Sequence, residues 1–171
     1  MDPEAEPPNA ELAPQRTILT LRSEYRQAVG TLLGLAQREL RIFDPDLADL
    51  GLDTEERSAA LRQFLRRSRN NRLYIALHDV DFISHRAPRL MALLETFSSG
   101  MFIHRTERDA ARVQDCFVLC DELHLARRRV AAQPRGALYL NDPREGRGVR
   151  ERFDEIWESS VLAVSATQAG L

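Results

Sequence analysis

The stretch RVQDCFVLCDE, residues 112–122, sets an amide, a thiol and a carboxylate at fixed spacing: Gln114, Cys116 and Asp121 stand at i, i+2 and i+7. The run between them is apolar and of strand length. In a strand, residues two apart share a face. Gln114, Cys116, Val118 and Cys120 are therefore expected on one face, with Asp121 where the strand gives way to a turn. A side-chain amide can bind but is no nucleophile. Cys116 and Cys120 are four strand residues, about 13 Å, apart, which excludes a local disulfide. They read as buried free thiols acting as small apolar groups.

Two further groups could carry chemistry. IFDPDL is an apolar strand followed by D-x-D, Asp44 and Asp46, and the HDVD after a second apolar strand adds His78, Asp79 and Asp81 at a comparable level. Oxygen-rich clusters at strand ends can hold Mg²⁺. The other group is basic. All 24 basic residues are arginine and none is lysine. That removes Schiff-base and P-loop lysine chemistry, so anion contacts must come from Arg, His or backbone N–H groups. Arg105 precedes the 112–122 strand, and Arg127 and Arg128 follow its turn. If the two sides converge, planar guanidinium forks could hold a phosphate-containing ligand. The four histidines fall on different elements with no i, i+4 pair, so spacing implies no metal site.

The elements that must position these groups follow from periodicity. Residues 1–15 hold four acids and four prolines and read as a disordered arm. From Thr17 to Leu40, apolar residues at Ile18, Leu21, Tyr25, Ala28, Leu32 and Leu35 alternate three- and four-residue steps, predicting an N-terminal amphipathic helix. Gly30 and Gly34 form a flat strip on it, against which another backbone could lie. LRIFD, RLYIAL, MFIHR and CFVLC are strands. Asp53, with Glu56 three residues on, predicts a capping box for a helix over 54–69. Pro88 opens a helix to about Phe97, which Gly100 ends. LARRR is expected antiparallel after the Asp121–His124 turn, and GALYL forms a further strand. Gly146 and Gly148 read as a loop before a closing helix that buries Val149, Phe153, Ile156 and Trp157. The expected architecture is α/β: a mixed, mostly parallel sheet flanked by helices, with one domain over 16–162 and a flexible tail over 163–171.

The order AQRELRIFDPDL, helix, NRLYIALHD, APRLMALLETF, MFIHR, DCFVLCDELHLARR and FDEIWESS resembles one half of the phospholipase D-like superfamily over roughly residues 36–160. The i, i+2, i+7 spacing is the one at which that superfamily places a His that attacks phosphorus, a Lys that holds phosphate oxygens, and an Asp beyond the strand end. The whole string is also similar to an uncharacterised bacterial family of phospholipase D-like domains that stand beside, or are fused to, GNAT-type acetyltransferases. Here Gln114 takes the nucleophile position and Cys116 the lysine position; Asp121 alone fits. The resemblance therefore implies a degenerate site with no catalytic residue and no cofactor, in a non-catalytic binding or regulatory domain. Active single-half members pair two chains, so it also implies a homodimer, or an acetyltransferase partner. Alternatives are a phosphate or nucleic-acid backbone binder and a cryptic phosphodiesterase. Asp44-x-Asp46 also resembles the nucleophile motif of haloacid-dehalogenase-type phosphatases, implying a Mg²⁺-dependent phosphatase. That family expects a small or hydroxyl residue next and a distant lysine, whereas Leu47 follows here.

Composition bounds the rest. A net charge of −2 argues against a wholly electrostatic nucleic-acid binder. No apolar run approaches the roughly 18 residues of a membrane span. The acidic N-terminus has no basic or apolar signal regions, and two cysteines form no disulfide framework, so a cytoplasmic location is expected.

Overall fold

The computed structural model of the chain describes residues 12–166. Residues 1–11 of the expected acidic arm and 167–171 of the expected tail lie outside the described residues. The strands are β1 (Gln15–Leu19), β2 (Glu39–Asp44), β3 (Arg72–Leu77), β4 (Met101–Thr106), β5 (Cys116–Cys120), β6 (His124–Arg128), β7 (Gly136–Leu140) and β8 (Ser160–Val164). The helices are α1 (Arg22–Leu35), α2 (Glu55–Arg67), α3 (Asp81–Arg86), α4 (Pro88–Thr96) and α5 (Pro143–Glu158). All eight strands join one sheet, in the order β1-β7-β6-β5-β2-β3-β4-β8.

The sheet is mixed, as expected, but parallel pairing is confined to β2–β3 and β3–β4. The remaining pairs are antiparallel. Connection length explains the balance: helices carry the chain between β2, β3 and β4, whereas short turns join β5, β6 and β7, and a tight turn can join only antiparallel strands.

Period-2 alternation splits the core across the sheet. Leu40, Ile42, Leu73, Ile75, Cys116, Val118 and Cys120 point at α1, α2 and α4. Phe43, Ala76, Phe117, Leu119 and Leu125 point at Val149, Phe153 and Ile156 of α5. The central strands are thus covered on both faces, which is why they read as unbroken apolar runs.

Four expectations change. The predicted N-terminal helix is divided: residues 15–19 form edge strand β1 against β7, and the helix starts at Arg22. The Glu24 carboxylate accepts hydrogen bonds from the Thr20 hydroxyl at 3.0 Å and the Leu21 N–H at 3.0 Å, fixing that start. Thr54, not Asp53, caps α2, its hydroxyl accepting from the Arg57 N–H. Asp53 instead accepts from the Leu90 N–H at 3.0 Å and so caps the first turn of α4. The Gly30–Gly34 strip seats no backbone: a Cβ on Gly30 would lie 3.0 Å from the Arg57 guanidinium, and one on Gly34 would meet nothing. Arg57 uses that space to donate to the Arg26 carbonyl at 2.6 Å.

Gly146 and Gly148 lie inside α5 rather than in a loop. A Cβ on Gly146 would fall 1.9 Å from the Glu122 carbonyl oxygen, so glycine alone lets α5 approach the β5–β6 turn. The chain after α5 forms β8, antiparallel to β4, and carries the sheet to Val164.

Candidate functional site

The i, i+2, i+7 residues sit on a central strand, and the fold separates them. Gln114 is exposed just before β5. Cys116 is the first residue of β5 and is fully buried. Asp121 lies past the other end, ~23 Å from Gln114 at ordinary strand rise. Its carboxylate accepts from the backbone N–H groups of Gln37 at 2.7 Å, Arg38 at 2.8 Å and Glu39 at 2.9 Å. Asp121 therefore ties the start of β2 to the β5–β6 turn, where it takes a left-handed φ of 54°.

Cys116 is one of four polar side chains, each from a different element, that meet on the α1 face. The Cys116 thiol donates toward the Tyr25 hydroxyl of α1 at 3.8 Å. Arg128, 2% exposed and paired with Cys116 across the β5–β6 ladder, holds its guanidinium 4.5 Å over the Tyr25 ring. Asp44 ends β2 at 3% exposure. Its Oδ2 accepts from the Leu47 N–H at 2.8 Å and the Asp46 N–H at 3.3 Å, while Oδ1 and the Arg128 Nε have no protein partner. Burial pushes the Asp44 carboxyl up to about 6, against the pull of the two backbone N–H groups and Arg128. Burial likewise raises the Cys116 thiol, with the Asp44 charge adding to it, and raises the Tyr25 hydroxyl. For Arg128 burial opposes the charge, but Cys116, Tyr25 and Asp44 together hold its pKa above the ordinary value. A thiol in this setting stays protonated, which makes it a poor nucleophile.

On the α5 face at the same end of the sheet, His78 follows β3. Its Nε2 lies 2.8 Å from the Val113 carbonyl, which can only accept, so Nε2 carries a hydrogen. In the neutral ring Nδ1 then accepts from the Thr106 hydroxyl at 2.6 Å. Both ring nitrogens are used to tie β3 to β4 and to the approach to β5. Phe43 packs edge-on at 5.3 Å between centroids. Sequence spacing places His78 with the HDVD acids rather than with Thr106 and Val113, and gives Thr106 and Tyr25 no site role, because their partners lie on other elements.

The arginines do not converge as expected. Arg127 and Arg128 alternate across β6: Arg128 faces Tyr25, whereas Arg127 faces the α5 side and donates to Asp115 at 2.8 Å. Arg105 stands on β4, four strand spacings or ~19 Å from β6, and pairs with Glu107 at 3.6 Å. The acids are separated too. Asp46 and Asp79 line an exposed groove, where Asp46 caps the Ala48 N–H and Asp79 the Asp81 N–H. Asp44 lies inside, facing Tyr25. Among the described residues no group of three or more His, Cys, Asp or Glu is placed to hold a metal ion. No helix among them is long and apolar enough to cross a membrane.

The eight-stranded sheet gathers the candidate site at the amino end of β5 and the carboxyl ends of β2, β3 and β4. Among solved structures, the chain is similar to Nuc from Salmonella typhimurium, a phospholipase D family member, with a TM-score of 0.57, 14% identity, and coverage of 90% of this chain and 100% of that one. It is similar to NucT from Helicobacter pylori at TM-score 0.59 and 12% identity, covering 88% of this chain and 100% of that one. A third similar structure is TrmBL2, an archaeal chromatin protein with a novel mode of DNA binding, at TM-score 0.63 and 16% identity, covering 94% of this chain and 56% of that one. At such identities the likeness shows the fold. Residues 21–166 match the family Domain of unknown function (DUF7931), and the chain belongs to that family. No curated protein matches it in sequence.

Proposed function

We propose that this chain is a non-catalytic phospholipase D-like domain with a binding or regulatory role, working as a homodimer or beside an acetyltransferase. One observation carries the reading: the position of the phosphate-gripping lysine holds Cys116, closed into the core against Tyr25, Asp44 and Arg128. The nucleophile position holds an exposed amide, and the nearby imidazole of His78 has both nitrogens engaged. A covalent phosphodiester mechanism needs a group that attacks and later leaves, and nothing at this end supplies one. Asp44 faces the interior, away from any approach by a phosphate ester, which counts against the Mg²⁺-dependent phosphatase.

TrmBL2, described as a chromatin protein that binds DNA, supports treating the fold as a binding scaffold. For the homodimer, β5 is interior to the sheet, so pairing of two chains would use its amino end, where Gln114 is exposed, and not its side. Such a contact is isologous.

The test is turnover of bis-p-nitrophenyl phosphate and p-nitrophenyl phosphate, with Mg²⁺ and with EDTA. The expected result is no rate above buffer for either. EDTA-resistant diesterase turnover that Gln114→Ala abolishes would overturn the reading. Light scattering of the same samples decides dimer against monomer, and co-purification with a GNAT-type acetyltransferase from the native host decides the partner.

A further inference from the structure

On the α5 side, the β1–β7 edge of the sheet extends beyond α5, which packs on β4, β5, β6 and β8. There a cleft of about 160 Å³ is lined by Arg16, Arg127, Arg129, Arg135, Gln133 and Tyr139, among others, with no Asp or Glu in its walls. In a chain with 24 arginines against 26 acids, four guanidinium groups without an acid is a local excess of charge. Among the described residues, Arg16, Arg129 and Arg135 have no carboxylate within salt-bridge reach, although Arg22, Arg41, Arg105, Arg127, Arg150 and Arg152 do. Arg127 is only half neutralised, since the Asp115 carboxylate is shared with Arg152, which donates from Nε at 2.9 Å and Nη2 at 2.7 Å. Burial works against the charge on Asp115, yet these arginines hold its pKa below the usual carboxylate range, so it stays an anion.

The backbone of the walls is fixed in place. Arg16 lies over the Tyr139 ring at 5.5 Å. The loop that carries Arg129 and Arg135 is pinned by the Ala131 N–H on the Gln114 carbonyl at 2.7 Å and by Arg22 on the Ala132 carbonyl at 2.7 Å. Arg16 and Arg127 are thus held by side-chain contacts, and Arg129 and Arg135 stand on a fixed backbone, so part of the ordering cost is met before a ligand arrives. Planar forks without an acid between them suit phosphate oxygens. The size selects further: the cleft is smaller than the roughly 300 Å³ at which drug-sized pockets begin. It fits one phosphate group, and the chain's net charge of −2 disfavours a long polyanion.

The geometry points to this cleft as a binding site for the terminal phosphate of a small molecule. The site is on the face opposite Cys116, Asp44 and Tyr25. It does not depend on whether the phospholipase D-like motif is silent.

Isothermal titration of the full chain with inorganic phosphate and with adenosine 5′-monophosphate tests it, with a 20-mer duplex DNA run in parallel. Variants are Arg129→Gln/Arg135→Gln and, as a control away from the cleft, Arg62→Gln/Arg66→Gln. The expected result is saturable binding of one phosphate or monophosphate per chain, weakened at least about tenfold in the first double variant and unchanged in the control. Diesterase turnover in the same preparations bears only on the motif, so failure of one reading leaves the other standing. The assignment is overturned if neither small ligand saturates, if R129Q/R135Q binds as the wild type does, or if only the duplex binds.

Discussion

Asp121 and Gln114 occupy opposite ends of β5, and only the Gln114 end faces the part of the sheet where Asp44 and His78 gather. The Asp121 carboxylate serves three backbone N–H groups of the β2 approach. Its role is to hold strands together. Asp121→Ala should lose about 2–4 kcal/mol of stability, since hydrogen bonds to a charged acceptor contribute roughly 1.5–3 kcal/mol each and do not add fully. Asp121→Asn should lose less, because Asn still accepts and tolerates the left-handed backbone. Urea unfolding with an unchanged m-value checks both. Equal losses for Ala and Asn would contradict the account.

Gly146 and Gly148 sit two residues apart on α5 yet should respond in opposite directions. Gly146→Ala drives a methyl into the Glu122 carbonyl and should cost about 2–4 kcal/mol or displace the β5–β6 turn. Gly148→Ala meets nothing within 4 Å and should gain roughly 0.5–1 kcal/mol from helix propensity. Thermal melts of the two variants decide the matter. Similar midpoints would mean that α5 does not pack on the turn as described.

Asp44 makes stability depend on pH in an unusual direction. Its carboxyl is raised from 3.8 to about 6 in the folded chain, so between these values the folded state holds a proton that the unfolded state has lost. Stability from this group is complete below about pH 4 and is lost as pH rises through 6. At about 1.4 kcal/mol per pKa unit the loss is roughly 3 kcal/mol. Burial lowers the pKa of His104 and His124, which acts the other way as pH falls. The difference between wild type and Asp44→Asn isolates the carboxyl. In chemical denaturation at pH 4.5, 6 and 7.5, the wild type should weaken relative to D44N as pH rises. A difference that does not vary with pH would remove the buried Asp44–Arg128–Tyr25 cluster from the account.

The core strands were legible because both their faces are covered, so LRIFD, RLYIAL and CFVLC are apolar without interruption. The edges were not. In β1, Ile18 is 44% exposed and its neighbours continue a helix-like spacing, so nothing local marks the break at Thr20. In β8, Leu162 is 59% exposed, and SVLAV follows a helix without a turn signal. Asp53 has the right type to cap the helix beside it, but the donor it serves, Leu90, comes from far along the chain. The site was half legible. Spacing marked Gln114 and Cys116, and an apolar strand ending in Asp marked Asp44. That Tyr25 and Arg128 would close over the thiol depends on α1 lying across β5 and β6, and no short-range pattern encodes that. The alternation of Ala126 and Arg128 along β6 was the available signal.

Closure at Cys116 has a chemical readout. Burial raises the pKa of both thiols, so neither should react with 5,5′-dithiobis(2-nitrobenzoic acid) within minutes in the native state, and two should react in denaturant. Cys116→Lys, which places an ammonium beside Arg128 in the core, should lose more than about 3 kcal/mol. Gln114→His, at an exposed position, should be nearly neutral. A thiol that reacts rapidly in the native protein, together with a stable C116K variant, would show an open pocket where the structure has a closed one.

The most direct measurement is the rate of bis-p-nitrophenyl phosphate hydrolysis by the full chain in EDTA, beside Gln114→Ala prepared identically. On the proposed reading, in which Gln114 and Cys116 take the attacking and phosphate-holding positions, the two traces should be indistinguishable from buffer. Turnover by the wild type that disappears in the variant would mean that this end of the sheet still performs phosphoryl chemistry.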